Sequence, residues 1–259
     1  MEVGRGKKIK KIATFFLKKR HFIKHAIMKK LIFSLMASLL TVSVAFNASA
    51  QTATRNVSGY NGIACGGPFN VFIKIDGTES LKLDVDANVV DDIKTEVENG
   101  ILKVEFKDHW KNHRNMQRAN IYITAKSLGY LANSGSGNAT VEGTMTAENA
   151  KIALSGSGNI KTAVKSGTLD LKISGSGSID VNGSTGMADC RISGSGEING
   201  KSLRTETVEA SIAGSGNINL IASKTVSARI SGSGSVVYSG TATIGTTRYA
   251  GSGRVSKAD

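Results

Sequence analysis

Leu171-Lys172-Ile173-Ser174-Gly175-Ser176-Gly177-Ser178-Ile179-Asp180-Val181 is the stretch that decides the fold. Apolar residues alternate with polar ones on both sides of a Ser-Gly-Ser-Gly break, which reads as strand, corner, strand, with both strands sending their branched side chains to one interior. A helix would need apolar residues three and four apart, and the stretch does not have them.

The phrase recurs seven times, at Ser134–Gly137, Ser155–Gly158, Ser174–Gly177, Ser193–Gly196, Gly214–Gly216, Ser231–Gly234 and Gly251–Gly253. The final glycines, 137, 158, 177, 196, 216, 234 and 253, are separated by 21, 19, 19, 20, 18 and 19 residues. A fixed period near twenty means a solenoid. The flanking positions agree from copy to copy. Six residues before the last glycine stand Leu131, Ile152, Leu171, Cys190, Ala210, Ala228 and Thr247, and four before it Asn133, Leu154, Ile173, Ile192, Ile212, Ile230 and Tyr249. Two after it come Ala139, Ile160, Ile179, Ile198, Ile218, Val236 and Val255. One such unit cannot bury its own apolar face. Parallel stacking at the strand spacing of about 4.8 Å turns these positions into continuous columns of a core. The expectation is an all-β, parallel β-helix-like solenoid with about seven repeats of 18–21 residues.

Residues 51–130 also alternate like strands, without the serine-glycine corners. Val71 to Ile75 precedes a turn at Asp76-Gly77, Leu81, Leu83 and Val85 alternate with polar residues, and Ile101 to Phe106 follows a turn at Asn99-Gly100. The only proline, Pro68, sits in a Gly66-Gly67-Pro68 turn, and its absence elsewhere suits strands that donate to ladders on both edges. This part reads as irregular coils that lead into the stack and cap it, since an open solenoid end exposes core and unpaired backbone.

The charge is unevenly spread. Of a formal +13, residues 1–50 carry +10, from eleven Lys or Arg against Glu2, and residues 51–259 hold 22 basic and 19 acidic residues, or +3. The basic balance belongs to a leader and gives no footprint for nucleic acid. From Met28 the chain runs Lys29-Lys30, an apolar stretch from Leu31 to Phe46, then Asn47-Ala48-Ser49-Ala50, the three parts of a secretory signal peptide with a cut expected after Ala50. A predominantly apolar stretch of sixteen residues is short for a membrane span. The expected organisation is a gene-model extension or long n-region at 1–27, a signal peptide at 28–50, a short mature segment at 51–62, a solenoid domain at 63–255 (lead-in 63–130, repeats 131–255) and a tail at 256–259. An exported protein can pair its cysteines, here Cys65 and Cys190, but Cys190 stands in an inward column where a thiol acts as a small apolar residue.

The serine-glycine corners, the phrases Gly158-Asn159-Ile160, Gly196-Glu197-Ile198-Asn199 and Gly216-Asn217-Ile218-Asn219, and Ile121-Tyr122-Ile123-Thr124-Ala125 before the first corner resemble the putative auto-transporter adhesin "head GIN" family over roughly Ile63 to Val255. The resemblance implies a pectin-lyase-like shape in exported proteins, mostly of Bacteroidetes-type bacteria, and an adhesin label that rests on shape. It supplies no catalytic residues.

The catalytic signals are weak. A polysaccharide-degrading solenoid should repeat Asp or Glu at one position, but the residues after the corner are Asn138, Asn159, Ser178, Glu197, Asn217, Ser235 and Arg254. Asp84 and Asp86 alternate with Leu83 and Val85 and read as solvated. A serine triad needs a histidine, and His109 and His113 precede every repeat, in a polar stretch with Trp110 that reads as a loop between strands. No cofactor, catalytic residue or metal ligand is assigned. What remains is a non-catalytic binding or adhesion module of the cell envelope, periplasmic, surface-bound or secreted, whose partner is a surface glycan or protein. Its candidate strip is the column of corner serines Ser136, Ser157, Ser176, Ser195, Ser215, Ser233 and Ser252, offering hydroxyls and backbone N–H groups. The alternatives are a structural envelope protein without a ligand, or a polysaccharide-degrading enzyme.

Overall fold

The structure is a computed structural model and describes residues 50–107 and 116–258, all within one compact unit, Ser49–Asp259. The leader and the stretch with His109, Trp110 and His113 therefore lie outside the described residues. The unit is a β-solenoid of about seven turns, and no helix among the described residues is long and apolar enough to cross a membrane.

Five long strands form the body: β9 (Asn138–Gly156), β10 (Asn159–Gly175), β11 (Ser178–Gly194), β12 (Glu197–Gly214) and β13 (Asn217–Gly232). Each leaves one Ser-Gly corner, bends midway and enters the next corner. Neighbours pair in parallel. The stack ends with β14 (Ser235–Ser239) and β15 (Thr243–Ala250) on β13, and β16 (Arg254–Lys257) on β14.

The inward columns form as the alternation requires up to the last turn, where Tyr249, the register partner of Ile230 and expected in the inward column, is instead 47% exposed because no further coil covers it. Ile173, Ile192 and Ile212 are register partners and buried, as are Ile160, Ile179, Ile198 and Ile218. A third column, Ala150, Leu169, Ala188, Val208 and Val226, completes the wall.

Corner register explains the repeat. Gly175 has φ 125°, in the left-handed region, and a Cβ there would stand 2.3 Å from the carbonyl oxygen of Gly156 in the coil below. Gly177 meets the carbonyl oxygen of Gly158 at the same distance. Both glycines are required because the backbones of successive corners touch. Length changes are absorbed at the opposite bend. Asn159 pairs with Asn138, 21 residues back, but Ala163 pairs with Thr144, 19 back, and further shifts fall between Asp180 and Asn182 and between Gly200 and Arg204. Most of the unequal repeat steps are bulges at that bend, one, between Val226 and Ala228 where β13 pairs with β15, lies on the strand leading into the last corner, and every Ser-Gly corner stays in register.

The lead-in is more ordered than the expected irregular coils, and it departs from chain order. Strands β2 (Gly62–Gly66) and β3 (Asn70–Ile75) form one layer directly beneath the first repeat: β2 pairs with β8 (Tyr130–Gly135), and β3 with β9. Beneath them lie β6 (Ile101–Phe106) and β7 (Ala119–Ala125), pairing with β2 and β3. Residues 62–75 are thus inserted between segments that come later in the sequence. The cap is antiparallel. β4 (Ser80–Asp86) pairs with β7, β1 (Ala50–Arg55) with β4, and β5 (Ile93–Glu98) with β6 through the Asn99-Gly100 turn, where both residues have positive φ. Antiparallel strands stop the parallel stack from growing in this direction.

Ile192→Asp places an unpaired carboxylate in the dry column between Ile173 and Ile212 and should cost several kcal/mol, by about the 2–7 kcal/mol scale of an uncompensated buried polar group. Gly175→Ala should cost more than about 1 kcal/mol from the left-handed backbone alone, whereas Ser195→Ala should stay within about 0.5 kcal/mol. Urea unfolding midpoints test the order; equal effects of the three would refute the column and corner assignments.

Candidate functional site

All seven candidate serines, Ser136, Ser157, Ser176, Ser195, Ser215, Ser233 and Ser252, are exposed, and the stack brings them into one column along the corner. Half of the expected strip is absent, because the corner N–H groups are already used. Ser157, Ser176, Ser195, Ser215 and Ser233 each donate their backbone N–H to a glycine carbonyl of the coil below, Gly135, Gly156, Gly175, Gly194 and Gly214, at 2.9–3.0 Å. The hydroxyls are different. No protein hydrogen bond engages any of the seven among the described residues, neither to local backbone nor to one another. The strip offers hydroxyls alone.

Side-chain bonding runs up the next outward column instead. Asn70 donates to Asn120 at 3.5 Å, Asn138 to Asn70 at 3.2 Å, Asn159 to Asn138 at 2.9 Å, and the Ser178 hydroxyl to Asn159 at 2.7 Å. Ser235 donates to Asn217 at 2.7 Å further along. An amide whose neighbours repeat it can donate to the coil below and accept from the coil above, as Asn159, Asn138 and Asn70 do. These asparagines, which follow the corner where an acidic column was sought, hold coil on coil.

On the strand that runs into the corner, Arg191 pairs with both Asp170 and Asp189. Burial raises the Asp189 carboxyl above its ordinary value, against the nearby Arg191 charge that lowers it. No group of three or more His, Cys, Asp or Glu suitable for a metal occurs among the described residues. Asp84 and Asp86 serve the cap: Asp86 accepts the Gln117 N–H at 2.8 Å, and Arg118 approaches Asp84 to 3.9 Å.

The structure also presents an aromatic pair that the sequence reading passed over. Phe72 and Tyr122 point outward from β3 and β7, 43% and 40% exposed, with ring centroids 5.2 Å apart and planes within 18°. The signal was present in each strand, since both stand between buried isoleucines or valines in Val71-Phe72-Ile73 and Ile121-Tyr122-Ile123. Their meeting was not, because fifty residues separate them and the layer order is not the chain order.

With this geometry in place, comparison with known proteins is informative. The sequence model of the family "putative auto-transporter adhesin, head GIN domain" matches residues 59–242. The chain belongs to this family. No curated protein matches the sequence. Among solved structures, a putative adhesin from Bacteroides fragilis NCTC 9343 is 28% identical with a TM-score of 0.75, covering 82% of this chain and 99% of its own. A putative lipid binding protein from Parabacteroides distasonis ATCC 8503 is 28% identical with a TM-score of 0.67, over 81% of this chain and 96% of its own. A putative adhesin from Parabacteroides merdae ATCC 43184, 21% identical at a TM-score of 0.64 over 81% and 96%, shares the fold.

Both cysteines are buried free thiols, pushed up to about 12 by burial. Cys65 on β2 and Cys190 on β11 are four strand spacings apart through β8, β9 and β10, about 19 Å along the stack at about 4.8 Å each. A disulfide needs Cα atoms within about 7 Å. Because folding raises both thiol values, their contribution to stability is complete below the unfolded-state value and is lost as pH rises towards 12. Stability should fall above about pH 9 by up to about 1.4 kcal/mol per pH unit for each thiol. Cys190→Ala should flatten that alkaline slope in urea titrations, and both thiols should resist Ellman's reagent at pH 8 until the chain unfolds. Rapid labelling of the native protein would contradict the assignment.

Proposed function

We propose that this protein is an exported, non-catalytic binding module of the cell envelope that holds a surface glycan or protein along its corner column. The observation that carries the reading is the row of seven exposed serines whose hydroxyls make no protein hydrogen bond, repeated once per coil. A polymer lying along the stack meets the same weak donor and acceptor at each turn, and such contacts gain by adding within one ligand. Family membership supports an adhesive role, and the leader from Met28 to Ala50 supports export. The corner makes a poor catalyst. Its glycines are fixed by backbone contact, its N–H groups are engaged, and no acid or base recurs beside the serines.

The test is capture of the folded unit Ser49–Asp259 on immobilised envelope polysaccharides and surface proteins, with the wild type compared with a triple Ser157→Tyr, Ser176→Tyr, Ser195→Tyr variant. Saturable capture that falls in the triple variant, at an unchanged melting midpoint, is expected. Absence of saturable capture would favour a purely structural envelope component, and release of new reducing ends from a polysaccharide would establish an enzyme.

A further inference from the structure

The aromatic pair lines a slot on the outer face of the lead-in layers, beside the asparagine ladder and away from the serine column. Two rows of outward side chains bound it. In one row, register places Lys82, Tyr122, Phe72 and Thr140 side by side on β4, β7, β3 and β9. Two residues along the same strands lies the second row, Ser80, Thr124, Lys74 and Glu142. Between them is an open cavity of about 450 Å³ whose floor is the backbone at Ile73 and Ile123.

The two walls differ in chemistry. Phe72 and Tyr122 stack on each other and form one apolar wall two rings deep. Behind it, the ladder through Asn120, Asn70 and Asn138 fixes the neighbouring row. The opposite wall is polar. Ser80 and Thr124 hydroxyls bond each other at 2.9 Å, while Lys74 and Glu142, though neighbours across β3 and β9, form no ion pair among the described residues, and neither does Lys82, which stands beside Tyr122 in the aromatic row. The slot therefore has an ordered apolar side, one acceptor and two ammonium groups that form no ion pair among the described residues, the Asp76 carboxyl being lowered first by its Thr78 hydrogen bonds and also by the Lys74 charge.

The fold requires none of this. Phe72 and Tyr122 are outward residues on strands whose inward neighbours are already buried, and apart from Ile244 and Tyr249 at the far end of the stack they are the only exposed large hydrophobics among the described residues. Stacked rings beside unpaired donors and an acceptor match a ligand that is itself two-sided. A pyranose ring is such a ligand, with C–H groups on its faces for aromatic contact and hydroxyls around its rim for hydrogen bonds. Two ammonium groups against one carboxylate favour a sugar that carries a negative charge.

We propose that this slot is a glycan subsite that takes a hexuronate-type pyranose, its ring packed against Phe72 and Tyr122 and its carboxylate held by Lys74 and Lys82, with Glu142 accepting from a ring hydroxyl. Among the described residues Glu142 is the only carboxylate lining the slot, so the subsite holds sugar without the second acid that glycoside hydrolysis needs. The site goes beyond the corner serines. The asparagine ladder lies between the two, so one glycan chain can reach both across a single face.

Isothermal titration of the protein with tetragalacturonate and with cellotetraose tests the proposal. Tetragalacturonate should bind saturably, more tightly than cellotetraose, and added salt should narrow the difference. Phe72→Ala and Tyr122→Ala should each weaken tetragalacturonate binding by at least roughly tenfold, and Lys74→Gln with Lys82→Gln should abolish the preference for the charged sugar. All four positions are outward, so melting midpoints should hold, and Ser134→Ala serves as a surface control. The subsite is refuted by no binding of tetragalacturonate, by equal or tighter binding of cellotetraose, or by binding that the ring variants leave unchanged. Binding of a lysophospholipid with no response to either sugar would also refute it. Sugar binding that survives the ring variants but falls in the triple serine-to-tyrosine variant would overturn this subsite and leave the corner-column reading standing.

Discussion

Backbone touching backbone at the Ser-Gly corner is the contact on which the rest of this protein depends. At five successive corners a serine N–H reaches the glycine carbonyl below at 2.9–3.0 Å, at the last corner the Gly253 N–H does so, and a Cβ on the stacked glycines would lie 2.2–2.5 Å from that oxygen. Such an approach is open only to glycine. The corner fixes the vertical spacing of the coils, and with it the alignment of Ile173, Ile192 and Ile212 inside and of Asn138, Asn159 and Ser178 outside. The opposite bend has no such contact in every coil, so it takes up the insertions and deletions.

This division of labour explains what was legible. The corner requires a fixed residue type at a fixed place, so Ser174-Gly175-Ser176-Gly177 and its copies could be read directly. Alternation then gave the inward columns, including Cys190 between Leu171 and Ala210. Layer order in the lead-in could not be read. Strand alternation in Val71–Ile75 and Ile121–Ala125 says which face is buried, but a parallel partner fifty residues away leaves no local mark. The amide ladder was hidden for a related reason. Asn70 and Asn120 are far from the repeats in sequence and join Asn138 only through the inserted layer.

The candidate site was legible in part. Exposure of the seven serines follows from their place outside the columns, whereas the fate of their N–H groups depended on the inter-coil distance. Once those groups are engaged by glycine carbonyls, the repeated corner keeps only its hydroxyls for a partner. Outward side chains elsewhere on the coils are not dictated by stacking. In the body of the solenoid these are mostly polar or charged, such as Lys172, Arg191 and Glu197; in the lead-in they include the stacked Phe72 and Tyr122. The family's fold thus separates a constant inner register from an outer face that can vary at little cost to stability.

Amide hydrogen exchange measures the central contact most directly. The N–H groups of Ser157, Ser176, Ser195, Ser215 and Ser233 belong to exposed residues, and by exposure alone they would exchange quickly. If the corners are stacked as described, these amides should be protected nearly as strongly as those of Ile173, Ile192 and Ile212 in the core, opening only with global unfolding. Fast exchange at the serines beside slow exchange at the isoleucines would show that the corners do not hold the coils together.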